Sequence, residues 1–228
     1  MASPLIFVAF LGGLLPALLW LFFWLMEDRC EPEPKRYIFF SFLGGMAAVA
    51  LVLPLERLAV GYFTGTMLLL VWAALEEILK FGAAYVIALR SRAYDEPLDA
   101  IIYLVTVALG FSALENALFL WGPLQQGDVL RTIVTGDLRF IGATLLHTLS
   151  SATVGLALAL SFYRSAETRR LAVLLGVVLA IVLHTIFNFF ILGAGSGVTF
   201  WVFLTIWFGI LSVLLLTERV KRPARDYC

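Results

Sequence analysis

The stretch LDAIIYLVTVALGFSALENALFLW, residues 98–121, decides the fold class of this chain. At about 1.5 Å per helical residue, a segment of this length crosses a hydrocarbon core of about 30 Å. Asp99 and Glu115 are its only charged side chains, and the rest is predominantly apolar. The stretch therefore predicts a membrane-spanning helix that carries a carboxylate inside its apolar length.

Six other apolar segments of comparable length accompany this one. Hydrophobic residues make up 62% of the chain and charged residues only 14%, against about 25% charged residues in a soluble domain. The first segment has no basic residue before it and no small-residue cleavage site after it, so we interpret it as a retained helix. The sequence predicts an all-α, polytopic membrane helix bundle that forms a single integral membrane domain over residues 1–228. Its seven predicted transmembrane helices cover residues 3–26, 37–55, 62–89, 98–121, 138–163, 171–193 and 198–217.

The basic residues are distributed unevenly between the two sides of the predicted bundle. Twelve of the sixteen lysines and arginines lie in the first, third and fifth loops and after the last span, whereas the opposite side holds Arg57, Arg131 and Arg139. The positive-inside rule therefore places the amino terminus outside and the carboxyl terminus in the cytoplasm. The formal net charge is zero and the basic clusters are short, which excludes a nucleic-acid-binding face. Cys30 and Cys228 are too few for a disulfide framework, and we expect no role for them.

Three local patterns have structural interpretations. The segment Asp95-Glu96-Pro97-Leu98-Asp99 places proline and acidic residues at the start of a helix, which is typical of N-terminal capping. Gly61 and Gly65 match a small-xxx-small packing pattern, but glycine pairs are also common at helix ends. In residues 122–137 apolar side chains recur at helical spacing, so this loop is either an interfacial gate over the site or a simple connector. These apolar residues are Val129, Leu130, Ile133 and Val134.

Several ionisable side chains fall inside the predicted spans, where a lipid environment should exclude them. One charge at the centre of a membrane helix costs about 2.5–3.5 kcal/mol even on the most lenient scale, so such residues are expected to be paired or functional. Counted from the outer helix ends, the carboxylates and both histidines of the chain lie at similar depths. We therefore expect them to line one polar cavity in the outer half of the bilayer. The seven residues of this set are Glu76, Glu77, Lys80, Glu115, Asn116, His147 and His184.

Spacing within each helix predicts partners for these groups. Lys80 lies three and four residues after the two glutamates, within reach of both. Ser151 and Asn188 each follow a histidine by four residues and are expected to orient its ring. Phe111 precedes Glu115 by four residues and is expected to exclude water from its carboxylate. With all three carboxylates ionised, the set keeps two excess negative charges that protons, imidazolium ions or one divalent metal must neutralise.

The buried charges alone leave an enzyme, a proton-coupled transporter and a purely structural role open. A transporter predicts an internal inverted repeat with broken helices. The sequence lacks such a repeat, because Pro16 and Pro54 have no matched counterparts in the second half.

Four motifs built on the buried polar residues occur in order along the chain. They are Glu76-Glu77-Ile-Leu-Lys80, Phe111-Ser-Ala-Leu-Glu115-Asn116, His147-Thr-Leu-Ser-Ser151 and His184-Thr-Ile-Phe-Asn188. Together they resemble the PrsW family of intramembrane proteases, within the superfamily that includes the CAAX prenyl-protease relatives. The resemblance covers about residues 70–190, which would form the catalytic core. It implies a peptidase of a bacterial plasma membrane that cuts membrane-embedded or membrane-proximal proteins, such as an anti-sigma factor, and it leaves the oligomeric state open.

The resemblance also implies roles for individual residues. Glu76 and Glu77 occupy the essential glutamate pair of the family, and one of them would take a proton from water with the help of His147. His184 and Asn188 would hold the oxyanion. The other motif positions are Glu115, where superfamily relatives often have histidine, and the supporting residues Lys80, Phe111, Asn116 and Ser151.

A zinc-dependent version of the same reaction is the alternative. His147 and His184 with either Glu76 or Glu115 would form a set of two histidines and one carboxylate, which is an established catalytic zinc set. The sequence favours the version without a metal cofactor, because it contains no His-Glu-x-x-His motif on one helix.

Overall fold

A computed structural model describes residues 2–29, 31–193 and 196–221, and these residues form helices joined by short turns, without a β-strand. The predicted all-α polytopic bundle is confirmed. Six helical segments of the described chain are long and apolar enough to cross a membrane. The third predicted span, which contains Glu76, Glu77 and Lys80, corresponds to a 20-residue helix that is not among these six. The helices are α1 Ala2–Glu27, α2 Lys35–Val60, α3 Gly65–Ala84, α4 Pro97–Gln125, α5 Val129–Leu138, α6 Thr144–Leu160, α7 Ala166–Gly193 and α8 Ser196–Val220. Two π-helical turns, Tyr85–Leu89 after α3 and Arg139–Ala143 between α5 and α6, complete the helical structure.

The start of α4 follows the capping pattern predicted from the sequence. Pro97 is the first helical residue, and Glu96 and Asp99 form a reciprocal capping box. One carboxylate oxygen of Asp99 accepts the backbone N–H groups of Asp95 and Glu96, both at 2.8 Å. The cap satisfies backbone donors at the helix start, where an α-helix has no internal partner for them.

Helix α4 lies at the centre of the bundle, where α1, α2 and α6 pack against it. The backbones of α2 and α4 approach most closely at two glycines. A Cβ atom added to Gly110 would lie 2.0 Å from the carbonyl oxygen of Phe42, and one added to Gly45 would lie 2.0 Å from that of Val107. Only glycine fits such a contact, so these two residues set the spacing of the helices.

Gly61 and Gly65, which match a small-xxx-small pattern in the sequence, do not mediate helix packing. Gly61 ends α2, and a Cβ atom on Gly65 would have nothing within 4 Å. Gly65 has a φ angle of +56°, which favours glycine, and it turns the chain into α3. As a result α3 begins three residues later than the predicted span.

The apolar residues at helical spacing in the loop 122–137 lie in α5, and none of the α5 side chains is buried. The π-helical turn joins α5 directly to α6. The continuous segment Val129–Leu160 has 32 residues, a length of about 48 Å against a hydrocarbon core of about 30 Å. Its role as a gate stays a prediction.

Candidate active site

The buried polar residues of α3 contact one another and α6. The ammonium group of Lys80 donates to Oε1 of Glu77 at 2.6 Å and lies 3.0 Å from Nδ1 of His147. Glu76, Glu77 and Lys80 are all buried. Glu77 is therefore the ion-pair partner of Lys80, and its charge is compensated inside the bundle.

His147 lies between Lys80 and α4. Its Nε2 atom is 2.9 Å from Oε2 of Glu115, and its ring packs against that of Phe111 with centroids 5.2 Å apart. Because the lysine ammonium is a donor only, Nδ1 of His147 accepts and Nε2 carries the proton that is donated to Glu115. The contacts of the ring thus fix its tautomer.

His184 of α7 occupies the other side of the cluster. Its Nδ1 atom lies 2.8 Å from Oε1 of Glu77, and the two imidazole centroids are 5.1 Å apart. A carboxylate only accepts, so Nδ1 donates and Nε2 of neutral His184 presents a lone pair. Each imidazole is therefore oriented by a carboxylate on one of its two nitrogens.

Nδ1 of His147, which also accepts from Lys80, and the free Nε2 of His184 both face Glu76. Its Oε2 atom lies 3.9 Å from Nδ1 of His147 and 3.8 Å from Nε2 of His184. This oxygen is buried and has no hydrogen-bond partner among residues 2–29, 31–193 and 196–221. These separations are too long for direct hydrogen bonds, so a water or an ion to one side of the three atoms can bridge them. The three side chains thus converge on a single point.

Arg139 belongs to the cluster, although the sequence interpretation placed it on the outer side without a partner. Its guanidinium forms an ion pair with Glu115, and its Nε donates to Oδ1 of Asn116 at 2.5 Å. The side chains of Arg139 and Glu115 are 15% and 20% exposed, so here the cluster reaches the surface. The signal was available, because Arg139 is the only lysine or arginine within the predicted span 138–163. It also reduces the excess negative charge of the set.

Glu56 of α2 is a second residue that the sequence interpretation missed. Its side chain interacts electrostatically with that of Glu76, and its backbone carbonyl accepts from Nε1 of Trp72 at 3.2 Å. Glu56 lies one position beyond the predicted end of the second span, whereas α2 continues to Val60. A helix drawn one turn longer would have included it among the intramembrane acids.

Two predicted supporting contacts differ in the structure. Both ring nitrogens of His147 are occupied by Lys80 and Glu115, so Ser151 is not the group that orients this ring. His184 is oriented by Glu77 from another helix rather than by Asn188. In the described part of the chain the half-buried Asn188 side chain forms no hydrogen bond.

The other supporting residues also have contacts that the spacing did not predict. The ring of Phe111 contacts His147 and Lys80. Glu115 pairs with Arg139, a partner that sequence spacing did not predict. Asn116 bridges α4 and α6, because its Nδ2 donates to Oγ1 of Thr144 at 2.9 Å. Long-range contacts of this kind have no signature at a spacing of three or four residues.

A second group of acidic side chains lies at the opposite end of the bundle, near the start of α4. Burial, together with the negative charge of Asp99, raises the pKa of Asp28 to about 7. Burial and a hydrogen bond with Asp99 raise the pKa of Glu33 to about 9, and burial with the charge of Asp99 raises that of Glu96 to about 7. The Tyr103 hydroxyl donates to Glu33. These carboxyls hold protons more tightly than exposed ones do.

The fold and the cluster together define an integral membrane protein whose ionisable side chains meet inside a helical bundle, as they do in proteins that carry out chemistry within the bilayer. Residues 33–215 match the family described as PrsW family intramembrane metalloprotease. This match extends over most of the chain, and the protein belongs to the PrsW family.

Individual relatives agree with this assignment. The chain is 27% identical to Protease PrsW of Bacillus subtilis (strain 168), over 87% of this chain and 91% of that protein. It is 26% identical to Protease PrsW of Clostridioides difficile (strain 630), over 80% of this chain and 79% of that protein. The match to Protease PrsW of Geobacillus kaustophilus (strain HTA426) is 28% identical and spans 56% of that protein and 54% of this chain. No solved structure matches the chain significantly.

Proposed function

We propose that this protein is an intramembrane endopeptidase that hydrolyses peptide bonds of membrane-embedded or membrane-proximal proteins, with Glu76, His147 and His184 at the catalytic centre. The convergence of both imidazoles on the unpartnered carboxylate oxygen of Glu76 supports this proposal most directly. Peptide hydrolysis requires a group that activates water, and a buried, desolvated carboxylate oxygen is suited to accept its proton. Family membership supports the same class of reaction.

The proposed mechanism begins with a water molecule between Glu76 and His184. Such a water would donate one hydrogen to Oε2 of Glu76 and the other to Nε2 of His184, which leaves its lone pairs directed at the substrate carbonyl. Glu76 would take the proton and later deliver it to the leaving amine. His184 therefore acts as an acceptor here rather than as an oxyanion donor, which leaves the free amide of Asn188 as the candidate for that role.

The two adjacent glutamates receive different roles in this mechanism. Glu77 accepts from Lys80 and His184 through one oxygen, so its carboxylate holds these two groups in place. Glu76 has no competing cation at hydrogen-bond distance in the described chain. We therefore assign the role of general base to Glu76 and a positioning role to Glu77.

The description of the family as metalloproteases raises the question of whether the residues fit zinc. Glu76, His147 and His184 each offer one ligand atom, and these atoms lie within 4.8 Å of one another. The far nitrogens of both rings are bound by carboxylates, which is the arrangement that orients histidine ligands in metal sites. Nδ1 of His147 accepts from Lys80 in this structure, so a zinc ion would have to replace the Lys80 ammonium at this nitrogen. With that exchange the donor set fits a zinc ion, which would activate a bound water and polarise the scissile carbonyl. This donor set supports zinc-dependent hydrolysis as the second candidate mechanism.

The proposed location and substrate rest on the family resemblance and on the charge distribution. We propose a bacterial plasma membrane protein with its amino terminus outside and its carboxyl terminus in the cytoplasm, supported by the uneven distribution of lysine and arginine. The proposed substrate is a membrane-spanning protein of the anti-sigma-factor type.

Cleavage of a transmembrane peptide by the purified protein in detergent or liposomes tests the proposal. Glu76→Gln keeps the size of the side chain but removes the base, and we expect kcat to fall by roughly 10²–10⁴-fold. Ser151→Ala is the matched control, because this buried serine does not orient His147, and it should cleave at close to the normal rate.

Chelation separates the two mechanisms. Activation by Glu76 alone predicts full activity in metal-free protein, whereas the zinc mechanism predicts loss and restoration by added zinc. If Glu76→Gln cleaves the peptide at the normal rate both with and without added zinc, the assignment of Glu76 as the base is wrong. If the wild-type protein cleaves no peptide but conducts protons in liposomes, the transporter alternative replaces the protease.

A further inference from the structure

Arg139 lies outside the motifs that carry the family resemblance, yet its guanidinium contacts three residues of α4. It forms an ion pair with Oε2 of Glu115, the oxygen that also accepts from Nε2 of His147. Its Nε donates to Oδ1 of Asn116, and its Cζ lies 3.9 Å from the ring centroid of Phe119. A planar group fixed on a carboxylate, an amide and an aromatic face has little freedom to reorient.

The π-helical turn Arg139–Ala143 directs Arg139 towards this face. The backbone N–H of Thr144 donates to the carbonyl of Arg139, five residues earlier. In an unbroken α-helix, at about 100° per residue, Arg139 would lie about 140° around the axis from Thr144 and about 80° from His147. A π-helical turn contains one additional residue, which offsets these positions by about 100°. Arg139 therefore lies about 40° from Thr144 and about 20° from His147. The turn therefore brings the arginine onto the helix face that carries the catalytic histidine.

The geometry points to Arg139 as a positioning residue of the active site: it holds the carboxylate of Glu115, and through it the imidazole of His147, in alignment with Glu76. Arg139 acts through Glu115, since the Glu115 carboxylate lies between its guanidinium and His147. Without the guanidinium, the partly exposed Glu115 side chain is free to turn towards solvent, and the ring of His147 loses the acceptor for its proton. The inference rests on the proposed function, because alignment with Glu76 matters only if that centre activates water.

Kinetics of Arg139→Gln against a transmembrane peptide test the inference. Loss of a residue that orients a metal-binding histidine typically costs about 10–100-fold in activity, and we use the same range for the imidazole of His147. We expect a decrease of about this size in kcat with KM unchanged, because substrate binding is not affected. Arg139→Gln combined with Glu115→Gln should be no slower than Glu115→Gln alone, because both changes break the same chain of contacts. Arg131→Gln on the exposed part of α5 is the control and should behave like the wild type.

Chemical rescue distinguishes positioning from a general loss of structure. The Arg139 side chain is 15% exposed, so a guanidinium ion can reach the space that Arg139→Ala would create. Added guanidinium at a non-denaturing concentration should restore part of the activity of Arg139→Ala, whereas ethylammonium should restore less because it lacks the planar fork. A misfolded variant would respond to neither compound.

A spectroscopic readout does not depend on protease activity. The chain contains two histidines, so ¹⁵N-histidine labelling reports on His147 and His184 alone. In Arg139→Gln, or in Arg139→Lys if the glutamine variant does not fold, the ¹⁵N resonances of His147 should shift while those of His184 stay in place. An unmoved His147 signal with wild-type kcat would overturn the inference, as would a rise in KM alone. A wild-type protein without protease activity would refute the proposed function, while the ¹⁵N shift would still decide whether Arg139 orients His147.

Discussion

Glu76 and Glu77 are adjacent and chemically identical, but their surroundings differ. Glu77 accepts from an ammonium group and an imidazole through one oxygen, at 2.6 and 2.8 Å. The Oε2 atom of Glu76 faces two imidazole nitrogens across gaps of 3.9 and 3.8 Å. We therefore expect glutamine at position 77 to reduce mainly the stability of the fold, and glutamine at position 76 to reduce mainly the rate of hydrolysis.

We predict that Glu77→Gln destabilises the fold more than Glu76→Gln does. The change at Glu77 leaves the buried ammonium of Lys80 without its counter-charge, and breaking a buried ion pair costs about 3–5 kcal/mol. Glu76→Gln removes no direct ion pair and provides an amide that can donate to Glu56. Thermal unfolding in detergent should show a clearly lower midpoint for Glu77→Gln and a small change for Glu76→Gln. Equal midpoints would contradict the assignment of Glu77 as the partner of Lys80.

The identity of the buried ionisable residues could be predicted from the sequence, whereas their pairing could not. The cost of a charge in lipid singles out Glu76, His147 and His184 wherever they occur in an apolar span. The partners of these residues come from other helices, and sequence spacing carries no information about such contacts. Arg139 and Glu56 were missed for a related reason, because each lies at an uncertain end of a predicted span.

At the scale of single helices, the seven predicted spans correspond to seven long helical segments of the described chain. Apolar length alone predicts them, because the thickness of the bilayer fixes how many residues a span requires. The π-helical turns and the close approach of α2 and α4 were not predictable in this way. Both depend on contacts with neighbouring helices rather than on the composition of the helix itself.

We predict that Gly110→Ala destabilises the protein, whereas Gly82→Ala does not. The added Cβ at Gly110 would lie 2.0 Å from the carbonyl oxygen of Phe42, so α2 and α4 must separate. Overpacking of this kind costs about 1–3 kcal/mol, and more where the backbone cannot move. A Cβ at Gly82 of α3 has nothing within 4 Å, and alanine is the better helix former. The midpoints of thermal unfolding should therefore separate the two variants, and a stable Gly110→Ala would refute the close approach.

For the whole molecule, the polar residues are divided between two ends of an apolar bundle. One end holds the cluster around Glu76, and the other holds the acidic group of Asp28, Glu33 and Glu96. The second group has raised pKa values in the folded protein, so folding increases its affinity for protons. A group with a raised folded pKa contributes stability at low pH, and this contribution is lost as the pH rises through that pKa.

We predict that the unfolding midpoint in detergent falls as the pH rises from about 5 to about 9, the interval between ordinary carboxyl pKa values and the raised value of Glu33. Glu33→Gln resembles the protonated side chain, since its amide can donate to Asp99 and its carbonyl can accept from Tyr103. This variant should match the wild type at the acidic end and be more stable than it at the alkaline end. The exposed Glu167→Gln serves as the control. A wild-type midpoint that is independent of pH in this interval would contradict the prediction.

The central position of α4 also affects which sequence changes the protein can tolerate. All residues of α4 between Pro97 and Ala113 are buried, whereas α8 exposes large apolar residues such as Phe200 and Phe208 along its length. Lipid chains adapt to any apolar shape, but an enclosed side chain has neighbours of fixed shape. Exchanges among leucine, isoleucine and phenylalanine should therefore accumulate freely on α8 during evolution. On α4 the volume of each side chain is constrained by its neighbours, so substitutions there should occur together with compensating changes on α1, α2 or α6.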